Sequence, residues 1–75
     1  MIEIEIENST QYQLEVDGIE NAEKICLKID RFCSLNKINA LTYYELLDNK
    51  ETIVVIEIIG KNEKLKEFLE EIQDN

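Results

Sequence analysis

Thr52 to Ile59, Thr-Ile-Val-Val-Ile-Glu-Ile-Ile, is the stretch that most restricts how this chain can fold. It is almost continuously apolar and β-branched, broken only by Glu57. A run of that length and branching is a central strand, covered on much of both faces. Such a strand needs neighbours. Ile2, Ile4 and Ile6 alternate with Glu3, Glu5 and Glu7, a period of two that gives a strand with one wet face. Tyr12, Leu14 and Val16 alternate with Gln11, Gln13, Glu15 and Asp17 and give a second. Asn8-Ser9-Thr10 reads as the turn between them. A hairpin is the simplest connection, and one long bulged strand is the alternative. Residues 38–47, Ile-Asn-Ala-Leu-Thr-Tyr-Tyr-Glu-Leu-Leu, have the β-branched and aromatic content of a third strand. Asp48-Asn49-Lys50-Glu51 is the turn into the central strand, and Gly60 ends it.

Two segments change period. Asp17 and Glu20 fit a capping box, and Ala22, Ile25, Cys26, Ile29, Phe32 and Cys33 follow at helical spacing. The spacing predicts a helix over 18–36, with Asn36 as its stop. Asn62 caps a second helix whose stripe is Leu65, Phe68, Leu69 and Ile72. Each helix has a single apolar stripe, so both must lie on the same face of one antiparallel sheet. The expected fold is α+β: a two-layer sandwich in the order ββαββα. The ferredoxin-like order βαββαβ becomes this one when its last strand moves to the front. With 75 residues the chain makes one α+β domain, 1–75.

Composition excludes several chemistries. The chain carries 17 Asp plus Glu against 8 Lys plus Arg, a net charge of −9, which repels phosphate backbones and anionic membranes. It has no histidine, so Ser–His and Cys–His nucleophile pairs and His-ligated metals are excluded. Cys26 and Cys33 are seven residues apart on a helix, about 10 Å, beyond the ~7 Å that a disulfide spans between Cα atoms; both read as small core residues. No stretch approaches the ~20 apolar residues of a membrane span. The acidic, alternating N-terminus does not read as a signal peptide, and a cytoplasmic protein is expected.

The remaining constellations are thin. The Glu3, Glu5 and Glu7 row with Glu15 could be read as a hard-cation site, but carboxylates on a flat strand face stand about 6–7 Å apart and do not converge. Glu45 and Glu57 are the candidates for a carboxylate pair on facing strands. Gly18 and Gly60 are isolated and make no phosphate loop. No catalytic residue, cofactor or metal is expected, and no enzyme. The informative feature is a surface. If Val54, Ile56 and Ile58 face the helices, then Ile53, Val55, Glu57 and Ile59 face away. The phase that turns Glu45 outward in the third strand also turns Leu41, Tyr43 and Leu47 outward. Leu41, Tyr43, Leu47, Ile53, Val55 and Ile59 are therefore the expected partner-binding residues. The first two strands are expected to show only Glu and Gln on that side, leaving the outer face half apolar and half acidic.

From Asp17 onward a further pattern is present. A strand ending at Val16 leads through a short loop to Ala22, within Glu-Asn-Ala-Glu-Lys-Ile-Cys. A polar-interrupted strand follows, then Asp48-Asn49-Lys50-Glu51, then Thr-Ile-Val-Val-Ile-Glu-Ile, and then Leu65-Lys66 with Phe68-Leu69. This resembles the small dimerisation subunit of the archaeal KEOPS complex, which has Leu-Arg where Leu65-Lys66 stands. The start of the second helix, Gly60-Lys61-Asn62-Glu63, lacks the Asp of that family. The acidic surface is more like that of the complex's second, paralogous small subunit. The resemblance implies a non-catalytic subunit of the machinery that makes threonylcarbamoyl-adenosine in tRNA, with the tRNA held by other subunits.

Three function classes fit these residues. One is an interaction module that forms a homo- or hetero-dimer or docks into a larger complex, without direct nucleic-acid or membrane contact. The second is a phage-type acidic inhibitor that mimics nucleic-acid charge and blocks the basic groove of a nuclease or other nucleic-acid enzyme. The third is a ferredoxin-like regulatory ligand-binding domain, disfavoured by the lack of Gly-rich loops. The first is the reading adopted.

Overall fold

The structure, a computed structural model, describes residues 1–74. The elements are β1 (Ile2–Ile6), β2 (Ser9–Val16), α1 (Ile19–Leu35), β3 (Ala40–Leu46), β4 (Thr52–Ile59) and α2 (Glu63–Asp74). The strands form one sheet in the order β1-β2-β4-β3, antiparallel at every pairing. β4 lies between β2 and β3, as its apolar run requires, and β1 and β3 are the edges. The order ββαββα and this sheet order together are the ferredoxin-like arrangement with its last strand moved to the front.

Both helices lie on one face. Tyr12 and Leu14 of β2 and Val54, Ile56 and Ile58 of β4 form a single core with Ala22, Ile29 and Cys33 of α1 and Leu65 and Leu69 of α2. Burial of one such Leu or Ile contributes about 1.5–3 kcal/mol. The result is the two-layer α+β sandwich that single-striped helices demand. Cys33 is buried, Cys26 is half-buried, and both are free thiols. Burial pushes the pKa of each thiol up.

Several boundaries differ from the sequence expectation, each for a local reason. β1 and β2 are a hairpin whose turn is Glu7-Asn8, since Ile6 pairs with Ser9; Ser9 and Thr10 are already strand. Thr10 belongs to the buried side, where its hydroxyl donates to the Gly60 carbonyl at 2.6 Å. The capping box at Asp17 does not form. Gly18 is the N-cap, with φ 89° and ψ 159° and no side-chain cap hydrogen bond. Asn21 instead donates from Nδ2 to the Asp17 carbonyl at 2.6 Å. Asn36 does stop α1. Beyond it Lys37 turns left-handed at φ 56°, and Ile38 N–H donates to the Cys33 carbonyl at 2.8 Å. That bond ties Ile38 to the helix end, so the third strand starts at Ala40 and not at 38. The Asn62 cap forms as expected, its Oδ1 accepting from Leu65 N–H at 3.0 Å.

Candidate docking face

The helix-free face of the sheet can be laid out row by row, because cross-strand partners point to the same side. Ile6, Ser9 and Ile59 make one row. Ile4, Gln11, Glu57 and Leu41 make the next, and Ile2, Gln13, Val55 and Tyr43 the third. Glu15, Ile53 and Glu45 form the fourth. Leu47 follows β3 and lies beside Ile53 and Glu15 at that end. The six residues expected on this face from sequence are therefore all placed there together.

They are not equivalent. Ile59 is 84% exposed and Leu41 59%, whereas Val55 is only 2% and Ile53 only 8% exposed. Val55 and Ile53 point outward but are roofed by neighbouring side chains, so they support the face from beneath. Tyr43 and Leu47 are half-buried. Burial, followed by the carboxylates of Glu57 and Glu45, pushes the pKa of the Tyr43 hydroxyl up.

The largest correction concerns β1. The sequence expectation put its glutamates on the helix-free side. The register Ile6↔Ser9 does the reverse: Ile2, Ile4 and Ile6 share that face with Gln13, Gln11 and Ser9. Ile2 and Ile6 are exposed and Ile4 is half-buried. Glu3 and Glu5 face the helix layer, where Lys66 of α2 and Lys61 of the loop before it meet them. Lys66 Nζ lies 3.3 Å from Glu3 Oε1, and Lys61 Nζ lies 2.6 Å from Glu5 Oε1. The Lys61 contact lowers the pKa of Glu5, and the same pairs raise those of Lys61 and Lys66. Glu15 lies on the opposite face from Glu3 and Glu5, so the row does not converge as one cluster. A sequence-level signal was present: a two-residue turn at Glu7-Asn8 places the isoleucines opposite Ser and Gln.

The face is thus apolar at both margins, with a polar column along β2. Gln13 Nε2 donates to Gln11 Oε1 at 2.8 Å, and Gln11 Nε2 donates to Glu57 Oε1 at 2.8 Å. At the hairpin end the column opens into a concavity of about 540 Å³ whose lining includes Ile4, Ile6, Gln11, Leu41, Glu57 and Ile59. Glu57 is half-buried there. Glu45 is on the same face, but Leu41 is the residue opposite Glu57, and Glu45 comes four positions later. That places the two carboxylates about 13 Å apart along the strand, with Tyr43 between them, so they do not act as a pair.

A second apolar strip, not read from the sequence, lies on the helix layer. Leu27 and Leu35 of α1 are 69% and 77% exposed, beside Lys28 and Arg31. They fall outside the core stripe of the helix.

No protein-family model, curated protein or solved structure matches the chain. Among the described residues, no helix is long and apolar enough to cross a membrane.

Proposed function

We propose that this chain is a non-catalytic protein-interaction subunit that works in the cytoplasm and docks through the helix-free face of its sheet. The observation that carries this reading is a sheet face with apolar residues at both margins, which neither helix covers among the described residues. Exposed Ile2, Ile6, Leu41 and Ile59 stand on it over buried Val55 and Ile53. Isolated exposed apolar residues are ordinary on a protein surface; two apolar margins on the same sheet face, flanking one polar column, suit a partner. The resemblance of residues 17–75 to the small KEOPS subunit supplies a candidate assembly, the threonylcarbamoyl-adenosine machinery, in which this chain would act through protein contacts and leave tRNA to other subunits.

The test is affinity capture from the source organism with the wild-type chain and with a Leu41→Ser/Ile59→Ser double variant, followed by identification of what co-purifies. The reading expects a defined protein retained by the wild type and lost from the double variant, and retention that falls only shallowly between about 0.1 and 0.5 M salt, since apolar contacts are not screened and charges walled from water are screened little. Equal capture by both proteins overturns it. Steep loss with salt of a nucleic-acid enzyme would instead favour the charge-mimic inhibitor.

A further inference from the structure

We propose that the concavity around Glu57 receives a cationic side chain carried by an apolar segment of the partner protein, and not a second copy of this chain. This rests on the docking reading above and specifies the chemistry of the occupant. None of the four strands contains a lysine or arginine, so every charge on their helix-free face is a carboxylate: Glu15, Glu45 and Glu57. The two lysines that meet strand carboxylates, Lys61 in the loop before α2 and Lys66 within it, do so on the other side of the sheet. Stacking two copies face to face would set carboxylates against a surface whose strands offer no cationic side chain, on chains that each carry −9. Like-charge juxtaposition of that kind works against association. A partner with Lys or Arg among apolar residues meets both halves of the surface at once.

Glu57 is built for that contact. Gln11 fixes one carboxylate oxygen, and Gln13 in turn fixes Gln11, so the side chain is held in place before any partner arrives. Ile4, Ile6, Leu41 and Ile59 surround it with apolar walls. Walls of this kind keep water from a bound ion pair and strengthen it, and they take up the methylene stem of a Lys or Arg. A half-buried carboxylate with an ordered hydrogen-bond donor on one side can still accept a charge-assisted bond on the other.

The experiment uses two fourteen-residue amphipathic peptides with the same leucine pattern, one with arginine and one with glutamate at the polar positions. Each is titrated calorimetrically into the full chain at about 0.15 M salt. The Leu/Arg peptide is expected to saturate and the Leu/Glu peptide not to bind. Glu57→Gln should weaken the Leu/Arg peptide about tenfold or more. Glu71→Gln, the same charge change at an exposed position on α2, should leave it within about twofold. Glu57→Asp keeps the charge but withdraws the carboxylate, and should fall between. Urea unfolding midpoints of all three variants report that they are folded. Equal effects of Glu57→Gln and Glu71→Gln would reduce the attraction to diffuse charge and overturn the proposal, as would no saturable binding of the Leu/Arg peptide. Sedimentation that shows a homodimer dispersed by Ile59→Ser would also overturn it while leaving the docking reading intact. Failure of the docking reading itself would show separately, as capture indifferent to the Leu41→Ser/Ile59→Ser change.

Discussion

Phe32 of α1 and Phe68 of α2 stack with ring centroids 4.0 Å apart and planes inclined by 8°. Both rings are half-buried and pack on the edge of the common core. They fasten the two helices to each other above the sheet, while Leu65, Leu69 and Ile29 hold each helix down on it. Phe68→Ala should cost about 2–3 kcal/mol, below the full core value because the ring is partly exposed. In a domain this size, each 1 kcal/mol shifts the melting temperature by about 4–8 °C. A double-mutant cycle with Phe32→Ala, followed by urea unfolding, should return a coupling of about 0.5–1.5 kcal/mol. A coupling near zero would mean that the stacked geometry adds nothing beyond area.

The Glu5–Lys61 contact gives stability a defined pH signature. The pKa of Glu5 lies below its ordinary 4.5 because Lys61 hydrogen-bonds to it. A depressed carboxylate stabilises the fold above its unfolded pKa and loses that contribution as pH falls through the folded value. The pKa of Lys61 is raised above 10.5 by the same contact, so its contribution is complete below the unfolded pKa and fades as pH rises through the folded one. The difference in melting temperature between wild type and Lys61→Met should therefore be widest from about pH 5 to 10. It should shrink below pH 4 and again above 10.5. Both groups are exposed, so the effect should also diminish in high salt. A difference independent of pH would assign the effect of Lys61 to its methylene stem.

The parts of the fold that were legible in the sequence are those decided by one element at a time. The stripe of each helix, the Asn62 cap, the Asn36 stop and the apolar run of β4 depend on local spacing, and both the order of elements and the shared side of the helices follow from them. The phase of β1 was not legible in this way. Strict Ile-Glu alternation is symmetric, so nothing within residues 2–6 says which side is wet. The choice is made by the Glu7-Asn8 turn, and two lysines more than fifty residues away then meet the glutamates it turns inward. Exposure on the docking face was hidden for a related reason. Phase says that Val55 points outward, but whether it is covered depends on side chains of the strands on either side of it, where Gln13 and Tyr43 are its partners. The capping box at Asp17 failed because Gly18 places the chain in a backbone region that other residues rarely enter.

That glycine gives a direct prediction. Gly18 has φ 89° and ψ 159°, a combination almost confined to glycine. A Cβ built there meets nothing within 4 Å, so the cost of Gly18→Ala is a backbone cost alone. It should destabilise by about 1–3 kcal/mol. Gly60, at φ 73°, is in the ordinary left-handed region and is equally open. Gly60→Ala should cost about 1 kcal/mol, and Gly60→Asn less, since Asn tolerates this region. Urea unfolding of the three variants checks the order, and an Ala at 18 as benign as an Asn at 60 would contradict the backbone argument.

Val55 and Ile59 share the docking face yet should respond oppositely to the same substitution. Val55 is 2% exposed and roofed by its neighbours, so Val55→Lys must either bury a charge or push the long side chain out between them. It should lose about 1–3 kcal/mol of stability, and any loss of partner binding would be mixed with partial unfolding. Ile59 is 84% exposed, and a lysine there is already in water. Ile59→Lys should leave the unfolding midpoint within about 0.5 kcal/mol of wild type. It should nevertheless abolish retention of the partner, because it removes an apolar wall of the Glu57 concavity and places a cation at its rim. Circular dichroism at 222 nm during urea titration, alongside the capture assay, separates the two effects. An Ile59→Lys protein that is fully folded and still retains the partner at wild-type levels would remove the hairpin end of this face from the binding surface.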